Sequence, residues 1–131
     1  MASIRNEVAL RASAAQVWDA VRDFGALPTR LVPGFVTDCK LDGDAHVVTF
    51  ANGLVARELL VDSDDARRRL AYAIVGGRAT HYGASVEVVE VDASNSKLVW
   101  IIDLLPNELA SAIGAMAAQG VAAMKRHFNG A

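Results

Sequence analysis

The sequence predicts an α+β fold in which a curled, antiparallel, seven-stranded sheet packs around one long C-terminal helix, with two short helices after the first strand. Two observations lead to this prediction. Six strand-like runs follow one another through the middle of the chain, and after Pro106 the apolar residues change to helical spacing. The length of 131 residues and the 53% share of apolar residues suit one domain, residues 1–131, with a sizeable core.

The N-terminal part of the chain predicts a strand and two short helices. Residues 3–11 alternate apolar and charged side chains, which is typical of a strand with one buried face. Ser13 begins a helix, with Gln16 in the capping-box position. Gly25 and Pro28 end that helix, and a second short helical piece follows before the next strand.

The middle of the chain predicts a meander of six strands. Asp42-Gly43 and Asn52-Gly53 stand between strand-like runs, and such pairs are strong hairpin signals because both residues tolerate positive φ. The six runs cover residues 35–41, 46–51, 54–62, 68–76, 80–91 and 96–105.

The C-terminal part predicts a helix of about 22 residues, roughly 33 Å long at 1.5 Å per residue. Pro106 suits its first turn, Glu108 its positive end and Lys125 its negative end. An apolar stripe repeats at helical spacing and consists of Leu109, Ile113, Met116, Gly120, Met124 and Phe128.

Composition argues against several classes of function. The net charge of −2, with no basic stripe, predicts no nucleic-acid partner. The apolar tract 109–124 is too short to cross a membrane, so no membrane span is expected. A single cysteine, Cys39, and an N-terminus unlike a signal peptide favour a cytoplasmic location. His46, His81 and His127 lie on separate elements, so neither a metal nor a cofactor is expected.

A curled sheet that holds a helix leaves a cavity where the two do not meet. On the last three strands, the more apolar faces hold Tyr72 and Ile74, then Tyr82, then Trp100 and Ile102. These side chains are predicted to point towards the helix.

The strand 54–62 is ambiguous, because Arg57 and Glu58 are neighbours and must point to opposite faces. The count of apolar residues on each face puts Arg57 inside by a narrow margin.

The stretch "NGLVARELLVDSDDARRRLAYAIVGG", followed by His81-Tyr82, resembles the START-like, Bet v 1-like (SRPBCC) superfamily, whose fold is called the helix grip. It is most similar to bacterial members of the polyketide cyclase/dehydrase type, and more distantly similar to the plant abscisic acid receptors. The resemblance implies that Glu58 points into the cavity and Arg57 points out.

The chain departs from the receptors in three places. Pro33 and Gly34 stand where the receptors carry a lysine for a ligand carboxylate. The gating loop is reduced to a tight turn at Asn52-Gly53, and the serine two residues after the tyrosine is Ala84. A hormone-type acid held under a closing gate is therefore not the expected ligand.

The candidate ligand-binding residues combine polar groups with apolar wall. Glu58 and Tyr82 are the candidates for orienting a ligand or for transferring protons, because a carboxyl in an apolar cavity has a raised pKa. Trp100 is either a platform for a flat ring or a plug. Tyr82 is equally consistent with a ligand contact and with a core residue, whereas the core interpretation is favoured for Tyr72. Gln119 faces solvent in the simpler interpretation. The full candidate set is Phe35, Glu58, Tyr72, Ile74, Tyr82, Trp100, Ile102, Met116 and Gln119.

Three functional hypotheses follow. The first is a domain that binds a small hydrophobic or aromatic molecule in the internal cavity. The second is an enzyme of the polyketide cyclase or dehydratase type that uses Glu58 and Tyr82 as proton-transfer groups. The third is an interaction protein in which outward Val99 and Ile101 form a patch for a partner or for a homodimer.

Overall fold

Seven antiparallel strands form one sheet in the computed structural model, which describes residues 1–130. The spatial order is β1-β7-β6-β5-β4-β3-β2, so the meander runs across the sheet and the first strand joins its far edge beside the last. The strands are β1 (Ala2–Leu10), β2 (Val36–Asp42), β3 (Ala45–Phe50), β4 (Val55–Asp64), β5 (Arg69–Val75), β6 (His81–Asp92) and β7 (Asn95–Leu105). The predicted fold class is confirmed.

Three register shifts interrupt the ladders and help the sheet to bend. They lie between Val36 and Asp38, between Leu60 and Asp62, and near the end of β6. A bulge of this kind increases the local twist of a strand. The sheet therefore has a concave inner face.

Two helices follow β1, α1 (Ala14–Arg22) and α2 (Leu27–Arg30). The predicted capping box is present: the Gln16 N–H donates to Ser13 Oγ at 3.1 Å, and Gln16 Oε1 accepts from the Ser13 N–H at 3.0 Å. Trp18 Nε1 donates to Asp65 Oδ1 at 2.9 Å, which holds α1 against the turn between β4 and β5.

The long helix α3 (Ala110–Asn129) has 20 residues and begins later than predicted. Pro106 has extended backbone angles and precedes a single 3-10 turn, so its placement in the first turn of the helix was wrong. At the other end, Asn129 Oδ1 accepts from the Arg11 N–H at 2.8 Å, and Asn129 Nδ2 donates to the Ala9 carbonyl at 3.3 Å. These bonds fasten the end of the helix to the end of β1.

The helix α3 does not lie over the centre of the sheet. Among the strands, the helix makes its main contact with β1, at one edge of the sheet. Gly120 lets the helix approach Trp100 closely, because a Cβ there would lie 3.1 Å from the indole ring. Since the helix leans towards one edge, the concave face over β3 to β5 is left less completely filled.

Candidate functional site

A cavity of about 360 Å³ lies between the concave face of the sheet and α3. Its wall is mainly apolar. Eight of the nine sequence-predicted residues line it, namely Phe35, Glu58, Tyr72, Ile74, Tyr82, Trp100, Ile102 and Met116. Their role in binding a ligand stays a prediction. The volume lies within the range of about 300–1,000 Å³ that is usual for small-molecule sites.

Glu58 is the buried acid of this cavity. It lies in the middle of β4, opposite Ile74 on β5 and His46 on β3, and only 5% of the residue is exposed. Among residues 1–130, its carboxyl forms no ion pair and no hydrogen bond with another side chain or with the backbone. Burial raises its pKa from an ordinary value of 4.5 to about 8. The group is therefore mostly protonated at neutral pH and can donate a hydrogen bond.

Arg57 points the other way. Its guanidinium pairs with the Asp42 carboxylate at 2.7 Å on the outside of the sheet. The count of apolar residues alone would have buried the arginine. The structure instead buries Glu58, which has the shorter side chain and can lose its charge by binding a proton.

Two tyrosines and a tryptophan supply further polar atoms to the cavity. Trp100 Nε1 donates to the Tyr72 hydroxyl at 3.1 Å, which fixes both rings. Burial raises the pKa of Tyr72 and of Tyr82 well above the usual value, and the neighbouring Glu58 adds to both shifts. Both phenols therefore stay protonated, and their hydroxyls can serve as donors to a ligand.

We expect Tyr72→Phe to lower the free energy of unfolding by about 1–3 kcal/mol, because it leaves the buried Trp100 N–H without an acceptor. Tyr82→Phe is the matched control, since Trp100 does not donate to that hydroxyl. Denaturant unfolding of both variants measures the difference. A loss in Tyr72→Phe no larger than that in Tyr82→Phe would contradict the role assigned to this hydrogen bond.

Gln119 lies outside this cavity. It is exposed and lines a separate pocket of about 220 Å³, between the β3–β4 turn and the outer side of α3. Neighbouring helix positions differ by about 100°, and Gly120 takes the position that faces Trp100. The solvent-facing interpretation of Gln119 is the one that the structure shows.

Other residues of the site were not singled out from the sequence. Leu54, Val55 and Arg78 lie at the cavity mouth, in or next to the β3–β4 and β5–β6 connections. These two connections lie at the same end of an antiparallel meander, which is a signal that could have found them. His46 faces inwards beside Glu58, with its ring packed edge-on against Phe24 at 4.8 Å.

The predicted outer patch offers little apolar surface. Val99 is only 9% exposed and Ile101 is half-buried. Both lie on the face of β7 opposite to Trp100, between the paired strands β1 and β6. The two side chains therefore leave little apolar surface for a second copy to bind, and the homodimer stays a prediction.

Within residues 1–130, no three His, Cys, Asp or Glu side chains are grouped closely enough to hold a metal ion. None of the helices described there has the length and apolarity needed to cross a bilayer.

The cupped antiparallel sheet, the long C-terminal helix that it holds and the short helices after the first strand define a helix-grip protein of the START-like, Bet v 1-like class. The family profile described as "Polyketide cyclase / dehydrase and lipid transport" matches residues 1–129, and the chain belongs to this family. A comparison with curated protein sequences found no match.

Several solved structures share the fold. Protein XoxI from Bacillus cereus is 22% identical with a TM-score of 0.87, over 98% of this chain and 96% of that one. A START superfamily protein from Mycobacterium smegmatis is 14% identical with a TM-score of 0.74, over 98% and 94%. The di-domain ARO/CYC protein BexL is 16% identical with a TM-score of 0.83, over 98% of this chain and 47% of BexL. At these identities the likeness concerns the fold.

Proposed function

We propose that the protein binds a small hydrophobic or aromatic molecule in the cavity between the sheet and α3. Glu58 and Tyr82 give the ligand its orientation, and the side chains of Phe35, Trp100 and Met116 provide apolar contact. A mainly apolar wall with a few converging polar groups is the usual design of a small-molecule site.

The observation that carries this proposal is the burial of Glu58 without a protein partner for its carboxyl. A carboxyl that is 5% exposed and has no protein partner destabilises the fold unless something compensates for its lost hydration. The acid faces a cavity large enough for a small molecule, rather than a packed interior. A carbonyl or hydroxyl of a bound ligand would accept the proton of Glu58 or donate to its oxygen.

The direct test is a fluorescence titration with phenylnaphthylamine, an uncharged aromatic dye that brightens in apolar surroundings. We expect saturable binding of one dye per chain, together with a rise in melting temperature. Native mass spectrometry of the protein as purified from cells would show whether a molecule of matching class is already bound. Absence of saturable dye binding, with a bare chain in the mass spectrum, would contradict the proposal.

The second candidate function is catalysis of a cyclisation or dehydration on a polyketide-like substrate. Two observations favour it: the family description, and a pKa near 8 on an acid that lines the same cavity as Tyr82. A group with a pKa near the working pH is suited to both taking up and giving back a proton. In this function Glu58 would exchange protons with the substrate while the cavity holds its chain in a folded pose.

Glu58→Gln separates the two functions. If the protein is an enzyme, this variant should lose turnover of a linear polyketone probe while dye binding persists. If the protein only binds, no cyclised or dehydrated product should form with either wild type or Glu58→Gln.

A cytoplasmic location is part of the proposal, and cell fractionation would test it.

A further inference from the structure

Arg78 stands at the mouth of the cavity, in the loop between β5 and β6. It is exposed, and within residues 1–130 its side chain forms no ion pair and no hydrogen bond with the protein. Arg57 is the other arginine that borders the cavity, but Asp42 already holds its guanidinium. Of the two arginines that border the cavity, Arg78 is therefore the one whose charge is not neutralised by a carboxylate of the described residues.

The surroundings of Arg78 are apolar. Leu54, Val55 and Val75 also border the cavity, and all three are large apolar residues that are exposed to solvent. Because no carboxylate of the described residues holds its guanidinium, Arg78 can form a charge-assisted hydrogen bond to an anion. Since the whole chain carries a net charge of −2, attraction of an anion depends on this local charge.

The geometry also gives the mouth and the interior different chemistry. Ile74 pairs with Glu58 on the adjacent strand, and Arg78 follows Ile74 by four residues, which span no more than about 14 Å of extended chain. A neutral acid and phenols lie at the inner end, and a cation lies at the outer end. This polarity matches an elongated molecule with one charged end.

We propose that Arg78 binds the anionic end of the ligand, and that the natural ligand is an aromatic or apolar molecule with a carboxylate, sulfonate or phosphate at the end that faces the mouth. The inference rests on the proposed binding function and deepens it by assigning a ligand class. Below pH 8, where Glu58 is mostly protonated, its carboxyl does not repel such an anion.

The test compares two dyes that differ by one anionic group: phenylnaphthylamine, and its sulfonated relative anilinonaphthalene sulfonate. Wild type should bind the sulfonated dye more tightly, and each dye should displace the other. Arg78→Gln should weaken binding of the sulfonated dye about five- to tenfold and leave the uncharged dye within about twofold. Arg78→Lys should restore most of the loss, because it keeps the charge.

Arg67→Gln is the matched control. Arg67 is an exposed arginine in the turn between β4 and β5, at the other end of the strands, and its loss changes the net charge by the same amount. It should leave both affinities unchanged. Equal weakening by Arg67→Gln and Arg78→Gln would overturn the proposal, since the effect would then be one of overall charge.

The two proposals fail in different ways. If the uncharged dye does not bind to wild type, the binding function itself is wrong, and the role of Arg78 falls with it. If the uncharged dye binds but Arg78→Gln leaves the preference for the sulfonated dye intact, only the assignment of Arg78 and of the anionic ligand class is overturned.

Discussion

Glu58→Gln should raise the free energy of unfolding by about 2–4 kcal/mol above pH 8 and leave it nearly unchanged at about pH 5. The separation between the ordinary pKa of 4.5 and the folded value of about 8 corresponds to an upper limit of about 5 kcal/mol, at about 1.4 kcal/mol per unit. Entry of water and local relaxation reduce that limit. Glutamine keeps the shape of the side chain and cannot ionise.

The sign follows from proton binding. The folded protein holds the Glu58 proton more tightly than the unfolded chain does, so the stabilisation by protonation is complete below pH 4.5. It is lost as the pH rises from there through about 8, where the buried group must ionise. Wild type should therefore lose stability across this interval relative to Glu58→Gln.

Denaturant unfolding across the interval measures the effect, with Glu90→Gln as the control. Glu90 is an exposed glutamate on β6, and its replacement should leave the pH dependence of wild type in place. If Glu58→Gln and wild type show parallel pH profiles, the Glu58 carboxyl is hydrated in the folded protein, and the interpretation of the cavity is wrong.

Ala117→Phe should abolish binding of phenylnaphthylamine, with a loss of at least about tenfold in affinity, while the chain stays folded. Ala117 is buried on α3 and lines the cavity, so a phenyl ring there projects into the space that the ligand would occupy. The cavity of about 360 Å³ has room for that ring, which limits the overpacking cost to about 1–3 kcal/mol.

Ala118→Phe is the matched control for this variant. Ala118 is the next residue of the same helix, but it is exposed, because successive helix positions are rotated by about 100°. The control adds the same ring with the same helix propensity and should bind the dye as wild type does. Comparable affinity in the two variants would place the bound dye outside this cavity.

The burial of Glu58 is informative because other amino acids of similar size could occupy this position at a lower cost in stability. A glutamine or a methionine at this position would keep the volume without the cost of a buried acid. Residues that reduce stability without an evident structural gain are commonly found where function requires them.

The fold was predictable because local signals agreed with one another. Asp42-Gly43 and Asn52-Gly53 marked hairpins, and Ser13 with Gln16 marked the start of a helix, so each element was defined by its own residues. The start of α3 was misplaced because proline suits both the first turn of a helix and the extended segment before it. Only tertiary context separates these two conformations.

The site was less accessible to sequence reasoning. Tyr82, Trp100 and Ile102 followed from strand alternation. On the strand of Glu58 the apolar count narrowly favoured burying Arg57, and a family resemblance supplied the inward direction of Glu58. Arg78 was missed because a loop has no periodicity from which to assign a direction. The expectation against a hormone-type acid under a closing gate rested on Pro33-Gly34, the Asn52-Gly53 turn and Ala84, and nothing tests it.

A pH titration of the Glu58 side-chain carboxyl by carbon-13 NMR, with Glu58→Gln used to assign the signal, tests directly whether this acid is buried in a ligand cavity. We expect a midpoint near 8, which moves when the uncharged dye fills the cavity. A midpoint near 4.5 that is unaffected by the dye would show a hydrated carboxyl that does not face a ligand, and would contradict the central claim.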